Sequence, residues 1–168
     1  MQTYDVVTKV LTVREYDPNR RASTDAIRRI LNAAVMTASA MNRQPWLFVV
    51  VREKAKLKQI ADLSPTGRHI AGADFAVAIA IDQKNKWGQI DGARAIQSMT
   101  IQAWDEGLGS GWVGNIDRDK VKDLLNIPKE YDLLTVIPFG YPTRRYAGKK
   151  NRKPFQDVVF LEKFPQKF

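Results

Sequence analysis

A chain of 168 residues, 44% hydrophobic and 27% charged, has the composition of one folded domain and is too short for two comfortable ones. It has no cysteine and a single histidine, His69, which excludes a disulfide framework, a thiolate nucleophile and a histidine-rich or thiolate metal centre. The net charge of +9 favours anionic partners such as nucleic acid, anionic membrane or a phosphorylated ligand, while no apolar run reaches the length of a membrane span, so a cytoplasmic protein is the expectation.

In chain order, "YDVVTKVL" reads as a short helix, and Pro18 stops any continuation beyond "VREYDP". Ser23 or Thr24 can cap a second helix whose Ile27, Ile30, Leu31, Ala34 and Val35 form an apolar stripe of helical period. "SAMNRQPW" (39–46) is a polar loop leading into the strand Trp46 to Val51. A lysine-rich helix, "EKAKLKQIADL", buries Leu57 and Ile60 and keeps its lysines in water. "DFAVAIAID" is apolar almost throughout and is expected to be a strand covered on both faces. A long helix from Trp87 to Glu106 ends at Gly107, with Ala93, Ile96, Gln97, Thr100, Ile101 and Trp104 near one face. "GSGWVG" is a third strand or strand edge, "DRDKVKDLL" a short helix capped by Asp117, and "YDLLTVIPFG" the last core strand. The alternation predicts an α+β, three-layer chain. The tail carries Val158, Val159, Phe160, Leu161, Phe164 and Phe168, which must dock either on their own domain or on a second copy.

The chain lacks a self-sufficient catalytic set. One histidine cannot complete a serine triad around any obvious nucleophile, and His69 reads as a loop or capping residue. "GLGSG" (107–111) lacks the lysine of a phosphate loop and follows a helix rather than a strand, so a dinucleotide fingerprint fails on context. If the chain is an enzyme, a cofactor performs the hard step. Four segments could hold one. "TVREY" (12–16) brings a hydroxyl and a cation, and "SAMNRQPW" brings a hydroxyl and amides. "GLGSGWVG" brings a close-approaching backbone, and "KKNRKPF" brings cations.

In their order and wording these segments resemble the FMN-dependent nitroreductase family. The resemblance is carried by "VLTVREYDP", "ASAMNRQPWLFVVV", "DGARAIQSMTIQAWDEGLGSGWVG", "VIPFGYP" and "KNRKPFQDVV", and it spans nearly the whole chain. It implies an α+β three-layer sandwich with a mostly antiparallel sheet. Residues 1–168 would form one domain, and about 150–168 would be an arm embracing the partner of an intertwined homodimer. It also implies FMN at the interface, NAD(P)H as hydride donor, and a small nitroaromatic or quinone-like acceptor. Matched to the family motifs, Thr12, Arg14, Lys150 and Arg152 would hold the phosphate end. Ser39 and Asn42 would meet the flavin from the other subunit, and Gly109 and Ser110 would lie beside the ring. Gln44 would either organise its loop or touch the ligand, Trp46 would enter the core, and Gly140 and Tyr141 would shape a turn.

Val10 and Leu11 stand where the family carries a basic pair, which Lys9 or Lys149 would have to replace. A charged hydrogen bond is worth about 1.5–3 kcal/mol, so one lost contact weakens binding roughly ten- to hundredfold. The alternative reading is a non-catalytic flavin carrier, or an FMN-less basic domain that binds a polyanion.

Overall fold

The computed structural model describes residues 3–148 and 150–168. Five α-helices and four strands follow in the order α1 (Thr3–Lys9), α2 (Thr24–Val35), β1 (Trp46–Val51), α3 (Lys54–Asp62), β2 (Phe75–Asp82), α4 (Gly88–Asp105), β3 (Gly109–Ser110), α5 (Arg118–Leu124) and β4 (Tyr131–Gly140). Strand order in the sheet is β1-β2-β4-β3, and every strand pair is antiparallel.

The β2 sequence explains the layering. Side chains alternate across a strand, so Phe75, Val77 and Ile79 face one side while Ala76, Ala78 and Ala80 face the other. The large side chains meet α2 and α4, with Ile30, Ala34, Ala95, Ile96 and Met99. The alanine face admits Leu57, Ile60, Ile70 and Val121 from α3, α5 and the turn between α3 and β2. Each such isoleucine or leucine taken out of water stabilises the fold by about 1.5–3 kcal/mol. Phe75 stacks on its cross-strand partner Phe139 at 5.0 Å between centroids, fixing the β2–β4 register in the middle of the sheet. The expected α+β three-layer sandwich is what the chain forms.

Helix ends follow their capping residues. Ser23 Oγ accepts from the Ala26 amide at 3.1 Å, and Asp117 Oδ1 accepts from Lys120 at 3.2 Å. Gly107, at φ +78°, closes α4, and the Leu108 amide reaches back to the Ala103 carbonyl at 2.8 Å.

Packing settles the buried faces of the two long helices. In α2 the core row is Ala26, Ile27, Ile30 and Ala34; Val35, in the expected apolar stripe, is exposed and, with Leu31, borders an open apolar furrow. In α4 the buried face is Gly88, Asp91, Gly92, Ala95, Ile96, Met99 and Ala103, which shares Ile96 with the face noted from the sequence and leaves Ala93 and Gln97 exposed. The helix is rich in small residues on all sides, so periodicity alone offers two candidate faces. The sheet selects the one with Gly92, where an added Cβ would lie 2.9 Å from Leu134 Cδ2. Gly140, expected in a turn, ends β4 instead, and a Cβ there would meet the Tyr16 ring at 2.8 Å.

Candidate functional site

The N-terminal motif and the glycine segment are joined by backbone. Thr12 bridges Ser110 in parallel, and the Val13 amide donates to the Ser110 carbonyl at 2.9 Å. Close approach requires glycine at 109, because a Cβ there would lie 2.8 Å from Val13 Cγ1 and nearer still to the rest of that side chain. Gly109 is therefore buried, with its open face taken by Val13. Tyr16 locks the same segment: its hydroxyl donates to the Val13 carbonyl at 2.9 Å, and burial pushes the phenol far above its usual range.

Thr12 and Ser110 line a recess of about 180 Å³ with Ala93, Gln97, Thr100 and the exposed Trp112. The α4 stripe that does not enter the core thus forms its wall. Hydroxyl and amide groups share the lining with apolar side chains, a mixture suited to a flat heteroaromatic ring. The recess falls below the roughly 300–1,000 Å³ of a complete small-molecule pocket.

Arg14 lies near His69 and depresses the imidazole pKa below its ordinary value, though burial is the larger cause. His69 Nε2 is buried without a hydrogen-bond partner and lies 3.2 Å from where a Cβ on Gly111 would stand. His69 is held in the turn Arg68–Gly72, and neither periodicity nor motif signals its place beside Gly111. Trp112 and Gln97 were also missed as lining residues; an aromatic between glycines was the available clue.

Lys150 and Arg152 stand close together. Burial and the Arg152 charge both lower the Lys150 pKa, and Lys150 Nζ donates to the Val7 carbonyl at 2.8 Å, tying the late basic segment to the end of α1. Arg152 bonds the carbonyl of Asn151. Of the two residues suggested to replace the missing basic pair, Lys9 ends α1 and pairs with Asp5 at 3.0 Å, whereas Lys149 lies outside the described residues.

Ser39 and Asn42 are elsewhere. Their loop holds Met41, Asn42 and Gln44 at φ 52°, 53° and 48°, a left-handed conformation that non-glycine residues seldom adopt. Ser39 Oγ accepts from the Gln44 amide at 2.9 Å, and Gln44 Nε2 donates to Asn42 Oδ1 at 3.3 Å, contacts that tie Gln44 into the loop. Buried Asp91, in the first turn of α4, accepts from the Ala40 amide at 3.0 Å and pairs with Arg94 at 3.6 Å. Trp46 enters the core behind it. At 1.5 Å per residue, the Asp91 anchor and the Gly107 end of α4 are roughly 24 Å apart along the helix. The 39–44 loop is thus anchored at the first turn of α4, while Gly107 closes the other end of the helix.

No helix among the described residues is long and apolar enough to cross a membrane, and no group of three or more acidic or histidine residues there could hold a metal.

The nitroreductase family pattern matches residues 11–66 and 66–141. A protein of Archaeoglobus fulgidus provisionally described as an NADH dehydrogenase/NAD(P)H nitroreductase is 32% identical over 78% of this chain and 80% of its own. A like-named protein of Methanothermobacter thermautotrophicus is 30% identical over 98% of this chain and 88% of its own. Among solved structures, a like-named protein of Bacteroides thetaiotaomicron superposes with a TM-score of 0.87 at 26% identity, covering 94% of this chain and 96% of that one. An FMN-dependent nitroreductase of Clostridium difficile shares the fold at TM-score 0.87 and 23% identity, over 95% and 98%. The chain belongs to the nitroreductase family, and with it to the oxidoreductases.

Proposed function

We propose that the chain is an FMN-dependent NAD(P)H oxidoreductase that works as a homodimer and reduces a small acceptor of nitroaromatic or quinone type by a ping-pong route. The observation that carries this reading is the recess built where Thr12–Val13 pairs with Gly109–Ser110, lined by hydroxyl, amide and apolar side chains, with Arg14 two residues beyond Thr12 and beside His69. These residues fit a flavin: flat apolar surface for the ring, hydroxyls for its polar edge or ribityl chain, and the Lys150–Arg152 pair for its phosphate. When bound, FMN supplies reversible two-electron acceptance, which no side chain here provides.

The chain's own part is binding, orientation and electrostatics. Thr12 and Ser110 can hydrogen-bond the cofactor edge. Arg14 places a permanent positive charge near the recess, which favours added negative charge there. Burial and Arg14 both favour neutral His69, so Arg14 keeps its neighbourhood free of a second cation at neutral pH. Trp112 and Ile96 exclude water from one wall. Protons can come from solvent.

The dimer rests on two features. Ser39 and Asn42 of the same chain do not line the recess, and a second chain would bring its own 39–44 loop to it. The tail also leaves its apolar groups in water: Phe155, Phe164 and Phe168 are 60%, 78% and 77% exposed, and the ring contacts of the tail are with itself. A second copy is the natural cover, with 150–168 as the arm and 1–168 as one domain.

The test is the visible spectrum of the purified protein after FMN loading and desalting, followed by NADH and NADPH oxidation with a quinone acceptor. Retained flavin bands that bleach with nicotinamide support the reading; a protein that holds no flavin at any concentration ends it. The high positive charge supports a second reading, a basic domain binding a polyanion. That reading expects a salt-sensitive gel shift of nucleic acid by flavin-free protein.

A further inference from the structure

We propose that Lys9, Arg144 and Arg145 form a phosphate clamp that selects FMN over unphosphorylated flavin, taking the part that Val10 and Leu11 cannot play. This rests on the flavin reading above. The three cations line a cavity of about 480 Å³, larger than the ring recess, with Trp104, Leu108 and Tyr146 among its walls. Leu11 borders both cavities, so the larger one continues the smaller beyond Thr12. No carboxylate lines it.

The surroundings point to an anion. Lys150 is tied to the same end of α1 through the Val7 carbonyl, and burial together with the Arg152 charge disfavours its own charge. Lys9, Arg144 and Arg145 gather three further cations at one cavity, a set that a phosphate would neutralise. The carboxylates that face these cations are held loosely. Glu15 meets Arg144 at 3.9 Å and Asp5 meets Lys9 at 3.0 Å, both pairs largely in water and therefore weak enough to yield to a ligand. Arg144 also lies 5.5 Å over the Tyr146 ring, which keeps its guanidinium at the cavity wall. Sequence position 10–11 lost its cations, and the turn after β4 supplies others in the same space.

The discriminating experiment is to titrate wild type, Lys9→Gln, Arg145→Gln and the double variant with FMN and with riboflavin, following flavin fluorescence at low salt. Lys58→Gln, a charge removed from α3 on the other face of the sheet, controls for net charge. The expectation is that wild type prefers FMN to riboflavin. The double variant should lose about ten- to a hundredfold in FMN affinity while riboflavin affinity and the Lys58→Gln control stay unchanged. Equal binding of FMN and riboflavin by wild type overturns the clamp but leaves the flavin site intact. Equal weakening of both flavins in the double variant, or no weakening of either, also overturns it. Wild type that binds neither flavin removes the flavin reading itself.

Discussion

Replacing Gly109 by alanine tests how the two site segments are joined. The new Cβ would stand 2.8 Å from Val13 Cγ1 and closer to its Cβ and Cγ2. Val13 is fully buried and β-branched, so no rotamer clears the space. The φ of Gly109 is not in the left-handed region, so the penalty is steric rather than conformational. Either the core overpacks, at about 1–3 kcal/mol, or the 12–13 segment lifts and forfeits the Val13–Ser110 hydrogen bond, at about 0.5–1.5 kcal/mol. Either route gives a loss of about 0.5–3 kcal/mol. For a domain of this size that lowers Tm by roughly 1–12 °C. Thermal melts of apo and FMN-loaded protein read the stability, and FMN titration reads the site. Gly109→Ala should fall in both, and adding Val13→Gly should return part of the flavin affinity by emptying the contested space. A Gly109→Ala protein with wild-type Tm and wild-type FMN affinity would refute the argument that backbone pairing of 12–13 with 109–110 builds the site.

Asp91→Ala removes the acceptor of the Ala40 amide and the partner of Arg94; a loss of about 1.5–3 kcal/mol in urea unfolding is expected, together with weaker FMN retention as the left-handed 39–44 loop relaxes. His69 should make stability fall with acid. Its folded pKa lies below the ordinary 6.5, so the folded state gains fewer protons than the unfolded chain, and stability present above that value is lost as pH drops through it. The urea midpoint should therefore decline between pH 8 and pH 5.5 more in wild type than in His69→Gln. Removing residues 154–168 should convert a dimer to monomer in sedimentation equilibrium and abolish flavin retention without unfolding the sheet; a truncated protein that stays dimeric and yellow would show that the tail is not the arm.

The sequence exposed most of the fold because its signals were local and agreed with one another. The Ser23 and Asp117 caps, the Gly107 stop and the unbroken apolar run of β2 each act within a few residues, and each appears where the pattern placed it. What stayed hidden depended on contacts between distant segments. The choice between the two faces of α4 is made by Leu134 and Ile81 pressing on Gly92, which no helical periodicity reports. Gly140 looks like a turn residue in "FGYP" until the Tyr16 ring, more than a hundred residues earlier, is seen against it. His69 reaches the cleft because a short turn before β2 passes Gly111. The site segments themselves were legible only through resemblance to the family, and the Asp91 anchor of the 39–44 loop was not.

Charge sets the two associations of this chain against each other. Each copy carries +9, so bringing two together costs Coulomb energy over the contact distance. The screening length shortens from about 8 Å at 0.15 M salt to about 3 Å at 1 M. Dimerisation through apolar tail groups should then tighten as salt rises, because repulsion is screened and the burial of Phe164 and Phe168 is not weakened. Capture of the FMN phosphate by Lys150, Arg152 and their neighbours should loosen over the same range, because that attraction is screened too. Bound phosphates also lower the charge of each copy, so FMN should strengthen the dimer most at low salt. Sedimentation equilibrium with and without FMN, at 0.05, 0.15 and 0.5 M salt, separates these effects. A dimer that weakens with salt would mean that ion pairs rather than the apolar arm hold it. A dimer indifferent to FMN at low salt would mean that the phosphate sits too far from the interface to matter.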